Sequence, residues 1–299
     1  MSLKSHGRFD YHGLPGRGVY DWPNGTRLCV YLGLNLEHFA FGEGLGAELA
    51  PGGPQPDVLN HAWREYGNRV GAWRLHELFE TLEMPASVLV NSALYAHAPE
   101  LVAAFRARGD EIVAHGRSNS ERQGSLDEAA EAELIDEATR VISTHEATQP
   151  KGWLGPWISQ SHATPDLLQE AGYAYLLDWC MDDQPIWLGT RKGRILAVPY
   201  PQELNDIPAI MARKLGADAF ADMIVDNFDE MLEQAANGPL VMGIALHAYI
   251  VGQPFRLRHL RRALAHIARH RDRIWLATSG AVASHVLSLP EGVVPGSIR

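Results

Sequence analysis

One stretch of the sequence decides the fold: Leu240-Val241-Met242-Gly243-Ile244-Ala245-Leu246-His247. This apolar run has the length of a buried strand, and the residues that follow it include Gly252 and Pro254, which favour a loop. A strand that ends on a histidine places the imidazole at the rim of an α/β barrel, where such enzymes keep their catalytic residues. The sequence therefore predicts an enzyme.

Two other predicted strands end on polar residues. Residues 27–36 lead to Glu37 and His38, and the short run 111–114 ends on His115. A single histidine after a strand is more often a hydrogen-bonded structural residue than a catalyst, but polar ends on several parallel strands converge at one rim. The further candidates for this rim are Asn35, Asn119, Glu121, Asp182, Asp183 and His247.

Strand-like apolar runs alternate with amphipathic helical segments along the whole chain, which favours an α/β fold with parallel strands. The predicted strands are 28–34, 86–90, 111–114, 173–178, 195–199, 240–246 and 273–277. Seven strands suit a TIM-like (β/α) barrel better than an open sheet. We expect residues 1–299 to form one domain, with residues 1–21 as an N-terminal arm that wraps the barrel or a neighbouring subunit.

The composition excludes several classes of protein. The chain of 299 residues is 46% hydrophobic and 21% charged, and no segment is apolar enough to span a membrane. The formal net charge of −10 disfavours a nucleic-acid partner. The polar start predicts no signal peptide, so we expect a cytoplasmic protein. The arm and the aromatic-rich segment 63–82 are compatible with a homo-oligomer.

The candidate residues suggest two kinds of chemistry. Glu37 and His115 could bind one divalent metal such as zinc, with the amide of Asn119 as a weaker third ligand. His247 could act as a general acid or base, because the pKa of an ordinary imidazole lies near neutrality. Asp178, Asp182 and Asp183 are candidates to orient His247. No feature predicts a nucleotide or an organic cofactor.

The long segment 39–60 is rich in glycine and proline and predicts a lid over the substrate. Trp153 and Trp157 lie in loops and are interpreted either as core residues or as walls of a pocket for a flat or sugar-like substrate. With them, the predicted substrate-binding residues are His38, Asp178, Asp183 and Asn205.

The order of these motifs resembles the polysaccharide deacetylase superfamily, and within it the allantoinase-like branch. The resemblance extends from about Trp22 to Leu287. The matching motifs are Leu34-Asn35-Leu36-Glu37-His38, His115-Gly116, Gly152-Trp153-Leu154-Gly155-Pro156, Pro199-Tyr200 with Asn205-Asp206, and Leu246-His247 with Gly252-Gln253-Pro254.

The resemblance implies a deformed seven-stranded barrel that hydrolyses a carbon–nitrogen bond of a small amide, either an N-acetyl group or a cyclic ureide or imide. The metal-dependent members use an aspartate pair and two histidines spaced four apart. Here the catalytic aspartate is replaced by Asn35, the second by Glu37 and the second histidine by Asn119. We therefore expect an amide or ureide hydrolase with Glu37 as base and His247 as acid. A metal-dependent N-deacetylase and a catalytically silent barrel are the alternatives.

Overall fold

The computed structural model describes residues 4–43 and 46–298. Residues 1–3 of the predicted arm, Gly44 and Leu45 of the predicted lid, and Arg299 lie outside the described residues. The strands are β1 Leu28–Leu36, β2 Ala86–Val90, β3 Glu111–Ala114, β4 Gly152–Trp153, β5 Tyr175–Leu176, β6 Ile186–Thr190, β7 Gly193–Ala197, β8 Leu240–His247 and β9 Ile274–Ala277.

Helices follow most of the strands, as an α/β barrel requires. They are α1 Val58–Tyr66, α2 Ala72–Thr81, α3 Leu94–His97, α4 Pro99–Ala107, α5 Glu128–Glu146, α6 Thr164–Glu170, α7 Ala217–Gln234, α8 Ala248–Val251, α9 Pro254–Ala268 and α10 Ser279–Leu287. Two π-helical segments, Gly67–Gly71 and Ile207–Ala212, complete the helical layer. Across the described ranges, no helix combines the length and apolarity that crossing a bilayer demands.

The strands form one curled sheet in the order β6-β7-β5-β4-β3-β2-β1-β8, and β9 pairs with β1. All pairs are parallel except the β6–β7 hairpin. A bridge between Asn205 and Ala245 of β8 brings the segment after β7 against the other end of the sheet. The predicted α/β, TIM-like barrel is confirmed. The described residues contain nine strands rather than seven, because the two-residue β4 and the hairpin strand β6 gave no separate apolar run.

The register of β1 explains where the polar side chains lie. Leu34 pairs with Leu246 and Asn35 with His247, so β1 and β8 end at the same level. Alternate residues of a strand face opposite sides of the sheet. Cys29 and Tyr31 belong to the core inside the barrel, whereas their neighbours pack against the helices. The interior series continues through Asn35 to Glu37, so these two polar side chains close the top of the barrel interior.

Two glycines allow the helical layer to pack closely beside the pocket. Gly67 and Gly71 lie against α8, where an added Cβ would stand 2.7 Å from the Tyr249 nitrogen and 2.1 Å from the Ala248 oxygen. Between them, the Asn68 side chain donates a hydrogen bond of 2.8 Å to the Glu37 carbonyl. The glycines therefore permit an approach that lets Asn68 fix the backbone of Glu37.

The N-terminal arm packs against the segment between β5 and β6. Arg17 forms a bidentate ion pair with Asp182, at 2.7 and 2.8 Å. Both terminal segments cover the outer edge of β6. The Gly189 N–H donates to the Arg8 carbonyl at 2.7 Å, and the Trp187 N–H donates to the Pro295 carbonyl at 3.0 Å. The arm and the C-terminal tail thus both pair with the edge strand.

Candidate active site

A cavity of about 130 Å³ opens at the carboxyl ends of the barrel strands. Its wall contains most of the predicted site residues, together with residues from the loops after β4 and β7 and the lid segment. The polar lining residues are Asn35, Glu37, His115, Asn119, Tyr200, Gln202, Asn205 and His247. A larger cavity of about 1000 Å³ lies under the N-terminal arm, and it contains Asp182 and Asp183 but no other predicted site residue.

Glu37 is the centre of the pocket and is buried. Its Oε1 accepts a hydrogen bond of 2.5 Å from the Asn119 amide and lies 3.6 Å from His115 Nε2 and 3.7 Å from His247 Nε2. Its Oε2 has no hydrogen-bond partner among the described residues. Burial by itself raises the pKa of Glu37, but His247 and His115 outweigh it and lower the pKa. A carboxylate with one free oxygen therefore faces the cavity.

His247 is oriented by Asp206. The Asp206 carboxylate accepts from His247 Nδ1 at 2.6 Å and from the His247 backbone nitrogen at 2.8 Å. Burial lowers the pKa of His247, but the carboxylates of Asp206 and Glu37 reverse this effect and raise it. The Nε2–H group is thus held toward the pocket in a form that can donate a proton.

This pairing corrects the prediction that Asp178, Asp182 or Asp183 orients His247. Asp178 instead accepts from the Gly155 backbone at 2.9 Å, and Asp182 binds Arg17. Asp206 belongs to the motif Asn205-Asp206. It follows β7 in the chain, and no pattern in the sequence shows that this segment crosses to β8.

His115 is held in a similar way, but by a neutral group. Its Nδ1 lies 2.7 Å from the Leu154 carbonyl, which can only accept a hydrogen bond, so in the neutral ring the proton is on Nδ1. Its Nε2 is buried and has no hydrogen-bond partner in the described part of the chain. The two imidazoles therefore differ in the charge of the group that orients them, a carbonyl for His115 and a carboxylate for His247.

Asn119 faces Glu37 with its amino group. Asn91 accepts from the His38 backbone at 2.8 Å and donates to the His115 carbonyl and, at 3.0 Å, to Asn119 Oδ1. These backbone groups fix the orientation of Asn91, and Asn91 in turn fixes Asn119. The Asn119 carbonyl is consequently turned away from Glu37.

The predicted metal set of Glu37, His115 and Asn119 does not fit a metal for this reason. A cation beside Glu37 would meet an amide N–H donor at the third position, and one carboxylate and one imidazole are too few ligands for a zinc site. Asn119 instead stabilises the ionised carboxylate.

Asn35 has a supporting position. Its amide donates to Tyr200 Oη at 3.1 Å and to the Leu246 carbonyl at 3.2 Å, so both of its hydrogens are used. Burial raises the pKa of Tyr200 well above its ordinary value, so the phenol stays protonated. Because Tyr200 Oη accepts from Asn35, its own hydrogen remains available to the cavity. Tyr200, which sequence reasoning used only as a motif residue, is therefore a candidate donor to a substrate oxygen.

Only some of the predicted substrate-binding residues line the cavity. Asn205 and Trp157 line the cavity, and Trp157 is 42% exposed with a positive φ of 63°. Trp153 lies in the core against Tyr173, because β4 turns its side chain toward the helices. Asp178 is buried behind the loop that follows β4.

Asp183 and His38 lie away from the pocket. The Asp183 carbonyl accepts from Val241, six residues before His247 on β8, so it is roughly 20 Å from the rim at the usual rise of a strand. His38 faces away from Glu37 toward the helices. There it meets Glu65 of α1 and His97 of α3, and these are the only described residues that bring three potential metal ligands within 4.8 Å of one another. The structure thus contains a possible His/Glu/His metal site, but not where the sequence predicted one.

A buried carboxylate between two oriented imidazoles, at the carboxyl ends of barrel strands, is an arrangement suited to hydrolysis. No protein-family model matches the chain. A protein of Schizosaccharomyces pombe named as a polysaccharide deacetylase is 26% identical, and the alignment covers 88% of this chain and 91% of the relative.

Two solved structures are also similar, each with a TM-score of 0.79 and each covering 88% of this chain. One is named a probable polysaccharide deacetylase of Pseudomonas aeruginosa; it is 29% identical, and the match covers 92% of its own chain. The other is PuuE allantoinase, which is 26% identical and is matched over 91% of its own chain. These similarities confirm the predicted resemblance to the polysaccharide deacetylase superfamily and its allantoinase-like branch. They also confirm the predicted enzyme class, hydrolases of carbon–nitrogen bonds other than peptide bonds.

Proposed function

We propose that this chain hydrolyses a carbon–nitrogen bond of a small cyclic ureide or imide. The observation that carries the proposal is the free Oε2 of buried Glu37, whose Oε1 lies 3.6 Å from His115 Nε2 and 3.7 Å from His247 Nε2. A carboxylate and an imidazole that Asp206 orients supply a base and an acid at the same place.

In this mechanism a water molecule is held by Glu37 Oε2 and His115 Nε2. Its oxygen forms a bond to the substrate carbonyl carbon while its proton passes to Glu37. The Tyr200 hydroxyl donates to the carbonyl oxygen as that oxygen gains charge.

The carbon–nitrogen bond then breaks, and His247 gives its Nε2 proton to the departing nitrogen. The Glu37 carboxyl, whose Oε1 lies 3.7 Å from His247 Nε2, then returns to His247 the proton that it took from water. The sum is the addition of one water molecule across the bond. Asp206 keeps the orientation of His247 throughout the cycle and favours its protonated form before the bond breaks.

The size of the cavity supports a small substrate. A volume of about 130 Å³ suits one flat ring better than a sugar polymer. Trp157 at the mouth offers an exposed indole face on which a planar ring can stack. The name of the similar allantoinase supports the same class.

A small N-acetylated sugar is the second candidate substrate, and the names of the relatives from Schizosaccharomyces pombe and Pseudomonas aeruginosa favour it. The zinc ion of such deacetylases has no place in the mechanism above, because Asn119 offers Glu37 a donor. A cytoplasmic location and a homo-oligomeric assembly stay predictions.

The test is a hydrolysis screen with cyclic ureides, cyclic imides and N-acetylated monosaccharides, run on the wild type and on the Glu37→Gln and His247→Ala variants. We expect turnover of a ureide or imide, with a loss of about 10²–10⁴-fold in each variant. The matched control is Glu121→Gln, which removes a half-exposed carboxylate near the same rim. Unchanged turnover in both pocket variants would sink the mechanism, and turnover of acetylated sugars alone would transfer the proposal to deacetylation.

A further inference from the structure

A second cluster of imidazoles lies directly behind the catalytic pocket. It joins three elements: His38 follows β1, Glu65 lies on α1 and His97 ends α3. His97 Nε2 is 2.9 Å from Glu65 Oε2, and the ring centroids of His38 and His97 are 4.3 Å apart. All three potential ligand atoms lie within 4.8 Å of one another, which is compatible with one shared cation.

His38 adds an independent observation. Its Nδ1 is buried and has no hydrogen-bond partner within the described residues, although a buried polar atom ordinarily finds one. His61 lies one helical turn before Glu65, and its Nδ1 is likewise buried without such a partner.

We propose that His38, Glu65 and His97 bind one divalent transition-metal ion of the zinc type. Two imidazoles and one carboxylate form a ligand set that suits zinc and cobalt rather than calcium or magnesium. The half-exposed His97 leaves the ion a path from solvent. The ion takes the place of the direct contact between His97 and Glu65.

Such an ion connects the loop after β1 to α1 and α3 around the back of the pocket. The same residue, His38, donates its backbone N–H to Asn91, which orients Asn119 and through it Glu37. The metal therefore fixes the first member of the hydrogen-bond chain that ends at the catalytic carboxylate. This last step rests on the proposed function, whereas metal binding itself does not.

The experiment measures zinc bound per chain by equilibrium dialysis with elemental analysis, together with the visible spectrum of bound cobalt(II). No substrate is needed, so the result is independent of the proposed hydrolysis. The variants are His97→Ala and Glu65→Gln, compared with His115→Ala in the pocket. His145→Ala is the matched control, because His145 is also an exposed histidine in the last turn of a helix and stacks on Tyr95 close by.

We expect about one zinc ion per chain in the wild type, in His145→Ala and in His115→Ala. In His97→Ala and Glu65→Gln the affinity for zinc should fall by more than about tenfold. Loss of a residue that only supports a metal ligand already costs at least about tenfold, and these two residues are proposed as ligands themselves. Zinc should also raise the Tm of the wild type but not that of His97→Ala, whose Tm without metal shows whether it folds. Absence of zinc and cobalt binding in the wild type, or loss of binding in His115→Ala with retention in His97→Ala, would overturn the proposal.

Discussion

Glu37 and His38 are neighbours in the sequence but belong to two different clusters. Glu37 continues the interior side of β1 and lies in a pocket whose imidazoles both have a second nitrogen fixed, by the Leu154 carbonyl or by Asp206. His38 faces the helices, where its Nδ1 has no partner in the described ranges. An imidazole whose second nitrogen is fixed has a defined tautomer and suits proton transfer, and a buried ring nitrogen without a partner is a position that a metal ion can occupy. The comparison teaches that the side of β1 on which a residue lies decides which cluster it joins.

Among the variants that leave Glu37 and His247 in place, the largest effect is expected from Asp206→Asn, which removes the charge that orients His247. Without that charge His247 is less often protonated, so kcat should fall about 10²–10³-fold while KM stays nearly constant. Steady-state kinetics check this split, and Asp222→Asn on the surface of α7 is the control. A proportional change in KM alone would contradict a role in orienting His247.

Asp178→Asn tests how far the imidazoles beside Glu37 determine the ionisation of a buried carboxylate. Asp178 is also a buried carboxylate near the rim, but among the described residues it has no imidazole beside it. Burial raises the pKa of Asp178 to about 7. Since the folded pKa lies above the unfolded one, the free energy of unfolding falls as pH rises from about 4 to about 7. Asp178→Asn has no carboxyl group to ionise, so its stability should not fall in this way. At pH 8 the variant should be more stable than the wild type by about 2–4 kcal/mol, the free energy that corresponds to a shift of about three pKa units.

Urea unfolding at pH 4 and at pH 8 measures this difference. The two proteins should have similar stability at pH 4, where Asp178 is protonated. Equal stability at pH 8 would show that Asp178 ionises without penalty, and the contrast with Glu37 would then disappear.

Trp157→Ala tests whether the mouth of the pocket binds substrate. Removing the indole should raise KM about tenfold, or about 1.4 kcal/mol, with little change in kcat. Trp73→Ala is the matched control, because Trp73 is 39% exposed on α2 and does not line the cavity. A fall in kcat with an unchanged KM would assign Trp157 to loop geometry instead of substrate contact.

The smallest effect on hydrolysis is expected from His97→Ala. It removes a ligand of the outer cluster but leaves Glu37, His115 and His247 in place, so kcat should fall less than about threefold, below 1 kcal/mol. Kinetics in zinc-free and zinc-supplemented buffer measure it. A loss as large as that of Glu37→Gln would show that the two clusters form one catalytic site.

The sequence was sufficient for features that depend on strand periodicity. The runs that became β1, β2, β3 and β8 were predicted within a few residues, and strand ends correctly placed Glu37, His115 and His247 at one rim. Asp206 could not be predicted, because its position depends on a bridge between the segment after β7 and β8. The orientation of Asn119 depends on hydrogen bonds from Asn91, which a residue type alone does not reveal. His38, Glu65 and His97 meet only through helix packing.

The pairing of β6 with both ends of the chain has a consequence for solution behaviour. An edge strand offers unpaired backbone groups to any other strand, and β6 carries Ile186 and Trp187. In this protein the backbone of the arm at Arg8 and that of the tail at Pro295 use groups that a second molecule would otherwise meet. The terminal segments therefore protect the chain against edge-to-edge aggregation, a task separate from the chemistry of the pocket.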